Sequence, residues 1–163
     1  MASETARAIL TSPRPLAIVA TLGRLCIGLN LGGPTAADGK QKRFVTLCAL
    51  RYRFGDGEVR RVPSCFEFDG PSIPRAFWWI AGLSPADIDT ALAACIHDYG
   101  CANPDKIPRD MADAMFRVAL GPATIFTGDD CKDGEELPGV EPWRRNAMYV
   151  GVRYWSHKSG AVK

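Results

Sequence analysis

An α+β fold, in which a small antiparallel sheet packs with three or four helices, is what this sequence predicts. Three observations predict it. The stretch from Phe44 to Val62 alternates and turns like a β-hairpin. Ile88, Ala91, Leu92, Cys95, Ile96 and Tyr99 recur at the i, i+3, i+4 spacing of a buried helix face. A third run carries Ala112, Met115, Phe116 and Ala119 at the same spacing. The loop between the two helical runs is short, which makes them an antiparallel pair at about 85–99 and about 109–120.

Taken in order, residues 1–43 read as an N-terminal arm or edge segment, and 44–163 as one globular domain. Within the arm, 16–31 holds short apolar runs broken by Gly23 and Gly28 that declare neither helix nor strand. The hairpin follows. Phe44–Phe54 passes from a continuous apolar run into alternation, Gly55-Asp56-Gly57 turns, and Glu58–Val62 returns. Pro63 ends the ladder, and Phe66-Glu67-Phe68 alternates once more. Ser72, with Pro74 close behind, suits the start of a helix running to Ile80. Ser84 caps the next, Pro85 takes its first position, and Gly100 fits its left-handed C-terminus. Arg109–Leu120 is the third helix, stopped by Gly121-Pro122. Residues 127–142, acidic and rich in Gly and Pro, read as a surface loop. The last helix runs from about Trp143 to Trp155 and is aromatic and basic.

Composition sets the outer bounds. The 163 residues are one domain's length, and 47% hydrophobic with 23% charged residues excludes disorder as the main state. Twenty Lys plus Arg against 18 Asp plus Glu leave a net charge of +2, so the whole-chain balance gives no reason to expect a nucleic-acid partner. Leu16–Ala20 is too short for a membrane span or a signal-peptide core, which points to a cytosolic protein without a transmembrane segment. In that setting Cys26, Cys48, Cys65, Cys95, Cys101 and Cys131 are expected reduced and mostly buried, and none forms a C-x-x-C pair.

The residues that can carry chemistry lie on the helix pair. His97 falls near the end of one helix and Asp113 mid-way along the other, so antiparallel packing sets them face to face. Thr90, Ala93 and Ala94 share the side of His97 and are small enough to leave room above the imidazole. A carboxylate there would fix the imidazole tautomer for general-base work, with Asp98, about 100° further round, pointing elsewhere to hold a cation. The plainer reading gives Asp113 to surface ion pairs with Arg109 and Arg117, and leaves His97 a satisfied structural histidine. Spacing alone favours that plainer reading. Cys95, His97 and Cys101 as zinc ligands rank third, because residues two apart on a regular helix diverge. Trp78 and Trp79, with Trp143 and Trp155 on the last helix, are the candidate interface residues. Phosphate-loop and nucleophile-elbow motifs are absent from the sequence.

The segment Val62-Pro63-Ser64-Cys65-Phe66-Glu67-Phe68-Asp69-Gly70-Pro71-Ser72-Ile73-Pro74-Arg75 resembles the V-P-x-G-F-x-T-D-x-A-S-x-P-R block of a phage and prophage family of unknown function. Later blocks agree in order: His97-Asp98-Tyr99, then Arg109-x-x-Ala112-Asp113-x-x-Phe116, then Met148-Tyr149-x-x-Val152-Arg153. The sequence departs at Cys65, usually Gly in the family, and at Phe68, often Thr. This likeness implies a phage origin, with the protein in the host cytoplasm during synthesis or in the virion. A second likeness covers two helices: His97-Asp98-Tyr99-Gly100 and Arg109-x-x-x-Asp113-x-x-Phe116 are similar to the helix pair of bacterial phospholipase A2. It implies His97 as base, Asp113 as its orienter, and calcium on Asp98, with Asp69-Gly70 supplying the nearest candidate loop.

Two functions follow as expectations. One is a hydrolase of the cell envelope, acting on phospholipid or peptidoglycan. The other is a non-catalytic virion or tail-assembly component whose partners are other phage structural proteins.

Overall fold

The computed structural model describes residues 18–21, 27–30, 44–53, 59–70, 88–127 and 134–158. Eight strands and three helices lie there: β1 (Ile18–Thr21), β2 (Ile27–Asn30), β3 (Phe44–Thr46), β4 (Leu50–Arg53), β5 (Val59–Val62), β6 (Glu67–Phe68), α1 (Ile88–Cys101), α2 (Arg109–Ala119), β7 (Ala123–Thr127), β8 (Glu135–Leu137) and α3 (Pro142–Lys158). The class is α+β. The chain divides into two compact units, Met1–Gly70 with Ala123–Leu137, and Pro71–Pro122 with Pro138–Lys163. The first holds the strands in two antiparallel sheets, ordered β1-β2-β3-β6 and β5-β4-β7-β8. The second holds the helices.

The hairpin is longer than its sequence pattern and is shared between both sheets. Phe44 pairs with Phe68 and Val45 with Glu67 at one end, and Leu50 with Val62 through Arg53 with Val59 at the other. These pairs keep one register, yet the ladder lapses between them. The expected single strand 44–54 is therefore two strands, separated by buried Leu47, Cys48 and Ala49. Its physical cause is on the opposite side. Pro63 has no N–H to donate, so the ladder cannot pass through it.

Thr46 closes the gap. Its N–H donates to the Phe66 carbonyl at 3.0 Å, and its own carbonyl accepts from the Cys65 amide at 2.7 Å. The hydroxyl donates to the Pro63 carbonyl at 2.8 Å and accepts from the Phe66 amide at 2.9 Å. At this corner Cys65 adopts φ +61°, a left-handed conformation that favours glycine. Gly70 is held in the same unit by geometry: at φ +78°, a Cβ there would lie 2.6 Å from the Phe44 ring.

Sheet β5-β4-β7-β8 corrects the sequence reading of residues 127–142 as a loop. Glu135–Leu137 pairs antiparallel with β7, with Ala123 opposite Leu137. Strand β7 itself was not foreseen, and in the N-terminal 43 residues β1 and β2 extend the other sheet, β1 at its edge.

In the helical unit, α1 is buried nearly all round, from Thr90 to His97, rather than along one stripe. Alanine makes that feasible by letting neighbours approach. α2 is amphipathic and runs antiparallel to α1, burying Ala112, Met115, Phe116 and Ala119 as its periodicity requires. Gly100 is no left-handed cap: α1 continues to Cys101, and a Cβ at Gly100 would meet the Ala112 Cβ at 2.8 Å. Its missing side chain is what lets α2 approach α1 there. The Asn103 side chain ends α1 instead, donating to the Tyr99 carbonyl at 2.8 Å. α3 joins α2 through Arg117, which donates to Asn146 at 2.9 Å and lies over the Tyr149 ring. The expected helix Ser72–Ile80, the Ser84 cap, the turn 55–57, Cys26 and Cys131 fall outside the described residues.

Replacing Cys65 by Gly removes the cost of a side chain at positive φ, set against greater freedom of the unfolded chain. Cys65→Gly is expected to stabilise by about 1 kcal/mol and raise the melting temperature by about 2–4 °C. An unchanged or lower melting temperature by calorimetry would count against strain at this corner.

Candidate functional site

Antiparallel packing of α1 on α2, made close by Gly100, brings His97 and Asp113 together. The His97 Nε2 lies 2.9 Å from Asp113 Oδ1. Both are buried, His97 9% and Asp113 1% exposed, so Asp113 is no surface ion-pair partner. Arg109 does reach it, donating from Nε to Oδ1 at 3.2 Å, and Arg153 of α3 stands 3.9 Å from Oδ2. Arg117 turns instead to α3.

Asp98 is placed differently from the helical-wheel expectation. Its Oδ1 lies 3.3 Å from His97 Nδ1. The wheel describes Cβ directions, whereas Nδ1 sits close to its own backbone and a neighbouring carboxylate can fold back onto it. Cys101, one turn on, brings its Sγ to 3.7 Å from Nε2 and 4.0 Å from Nδ1. The edge of Phe116 closes another side, its ring centroid 5.6 Å from that of the imidazole.

Each ring nitrogen thus faces a carboxylate, and the geometry is that of an imidazolium donating twice. Burial on its own would push the His97 pKa down. The hydrogen bonds to Asp113 and Asp98, with Cys101 beside the ring, more than reverse this and raise it from 6.5 to about 11. Burial would likewise push Asp113 up, but the His97 hydrogen bond and the Arg109 charge hold its carboxyl below the ordinary carboxylate range.

Asp69 and Gly70 belong to the strand unit, and Asp98 to the helical unit. Gly70 is explained by the Phe44 ring. Calcium takes six to eight oxygen ligands, and Asp98 Oδ1 is already engaged by His97. Among the described residues, no group of three or more His, Cys, Asp or Glu side chains is arranged to hold a metal ion. Trp143 is exposed and donates to Glu141 at 2.7 Å. Trp78 and Trp79 lie outside the described residues, as does the side chain of Trp155. Among the described residues, Cys48, Cys65, Cys95 and Cys101 form no disulfide. No helix among the described residues is long and apolar enough to cross a membrane.

Residues 45–125 match the family described as Protein of unknown function (DUF1353). The matched stretch runs from the Thr46 corner through both helices of the His97–Asp113 pair and ends in β7. No curated protein and no solved structure matches the chain. Arg153, in the last of the resemblance blocks, lies beyond the match, yet it faces Asp113. Nothing in the sequence pattern marks Arg153 for that position.

The linkage has a definite sign. A histidine raised to about 11 contributes stability that is complete below pH 6.5 and is lost as pH climbs from there through about 11. Asp113, held low, contributes above its unfolded pKa and loses that contribution as pH falls through its folded value. In urea unfolding between pH 6 and pH 10, wild type should therefore lose more stability than His97→Gln. At pH 6 the variant should be destabilised by about 3 kcal/mol, as for a broken buried ion pair. Parallel pH profiles would refute the doubly donating imidazolium.

Proposed function

We propose that the chain is a phage- or prophage-encoded non-catalytic component of the virion or of tail assembly, in which His97 ties two helices together. One observation carries this reading: each ring nitrogen of His97 lies within hydrogen-bond reach of a carboxylate, Nε2 2.9 Å from Asp113 and Nδ1 3.3 Å from Asp98. A general base needs a free lone pair near neutral pH. With its pKa raised to about 11, His97 carries its second proton at pH 7 and has no lone pair to offer. The exposure of Trp143, Val150 and Tyr154 on α3 adds support, since aromatic side chains are favoured anchors in protein interfaces.

The envelope-hydrolase reading retains one specific support. The 2.9 Å contact between His97 and Asp113 is the orienting bond a histidine base requires. Proton transfer at Nδ1 would then require Asp98 to move away from its 3.3 Å contact.

The two readings separate in one set of measurements. The assembly reading expects a His97→Ala melting temperature several degrees below wild type, the same with and without calcium. It also expects a fixed copy number in purified particles by quantitative mass spectrometry. Detection confined to infected-cell lysate would overturn it, as would release of fatty acid or peptidoglycan fragments by wild type that is lost in His97→Ala.

A further inference from the structure

The outward side of α2 carries an ordered pattern. Between residues 110 and 118 the exposed positions are Asp110, Met111, Ala114, Arg117 and Val118. Met111 and Val118 are large apolar side chains left 45% and 46% exposed. The helical repeat puts Met111, Ala114 and Val118 in one stripe, turned away from the buried side formed by Ala112, Phe116 and Ala119. Asp110 and Arg117, also seven residues apart, line one flank of that stripe.

This pattern is complementary to itself. Asp110 pairs by spacing with Arg117, and Met111 with Val118, and both midpoints fall within about half a residue of Ala114. Two such helices laid antiparallel about a two-fold axis at Ala114 bring the same flank of each together. The Asp110 carboxylate of one copy then meets the Arg117 guanidinium of the other, and the contact occurs twice. Met111 meets Val118 twice as well. Ala114 meets its own image, with a methyl group small enough for the helices to approach closely. Arg117 is already held in place, donating from Nη2 to Asn146 and lying 5.3 Å over the Tyr149 ring. Neither of those partners is a carboxylate, and a guanidinium has five N–H donors.

We propose that this face of α2 is a self-association surface on which a second copy of the chain docks antiparallel. The charge order selects that occupant: acid at one end and base at the other is what an antiparallel copy presents in return. A contact built on one short helix lies at the small end of protein interfaces, so the dimer is a weak one, with a Kd of about 10–200 µM. Self-association here holds whether His97 is a tie between helices or a base.

The test is sedimentation velocity of the full chain between about 5 and about 500 µM, where a monomer–dimer equilibrium is expected. Asp110→Arg and Arg117→Glu should each weaken the dimer at least about tenfold, because like charges then face each other at both ends. An equimolar mixture of the two variants should associate about as tightly as wild type, since opposite charges meet again at both ends. A folding defect cannot produce that recovery. Independently, Ala114→Cys should cross-link to a disulfide dimer under mild oxidation where wild type does not, because only a position near the two-fold axis brings its own image within reach. A monomer at every concentration would overturn the proposal, and so would Asp110→Arg dimerising like wild type, which would assign association to another face. Growth beyond a dimer would also overturn it, since a two-fold contact closes. Failure of both the mixture and the Ala114→Cys cross-link would overturn the antiparallel pairing.

Discussion

The contact between His97 and Asp113 is the constraint on which the helical unit depends. A charged pair buried this deeply is costly to desolvate and is tolerated only where every partner is in place. The surrounding residues meet that demand. Gly100 admits the Ala112 methyl, which draws α1 and α2 close enough for a 2.9 Å bond across them. Ala93 and Ala94 keep α1 slender where it is buried all round. Asp98 and Asp113 take the two imidazole nitrogens, and Arg109 and Arg153 offset the second carboxylate from two other directions. Three helices contribute to one charge cluster, which explains why an otherwise apolar interface can hold it.

Much of this was legible in the sequence, and the misses have identifiable causes. α2 was readable from Arg109 to its end because its apolar spacing is regular and Pro108 and Gly121 bracket it. From two helices and a short loop, the meeting of His97 with Asp113 followed. Asp98 was misplaced because helical-wheel angles describe Cβ vectors and not the reach of a carboxylate toward Nδ1 of its neighbour. Gly100 was mistaken for a cap because sequence cannot distinguish a glycine needed for φ from one needed for proximity. β8 was hidden by its composition: Glu135-Glu136-Leu137 has poor strand propensity and takes its form from pairing with β7.

The hairpin illustrates a subtler limit. Its pairing register is uniform from Phe44–Phe68 to Arg53–Val59, and the alternation in the sequence reflects that. What alternation does not reveal is the corner at which the ribbon leaves one sheet for the other. The signals for it were Pro63, which breaks the ladder, and Cys65, where the resemblance leads one to expect glycine. A left-handed residue is what the turn requires, and glycine meets that requirement without strain. Thr46 was invisible as a structural residue, since nothing in a run of apolar neighbours marks a hydroxyl that will serve both the Pro63 carbonyl and the Phe66 amide.

The likeness of the helix pair to phospholipase A2 rests on residue types and spacing, but catalysis depends on which nitrogen is free. A base oriented by one carboxylate through one nitrogen keeps a lone pair at the other for the proton it must take. Here the second nitrogen meets Asp98, and the residue adjacent in sequence that the likeness reserves for calcium becomes a second acceptor for the same imidazolium. A carboxylate folded back onto Nδ1 favours the protonated ring over the neutral base. A shared pattern of residue types on two helices therefore does not fix a role, and the side-chain geometry around Nδ1 bears directly on which nitrogen can take a proton.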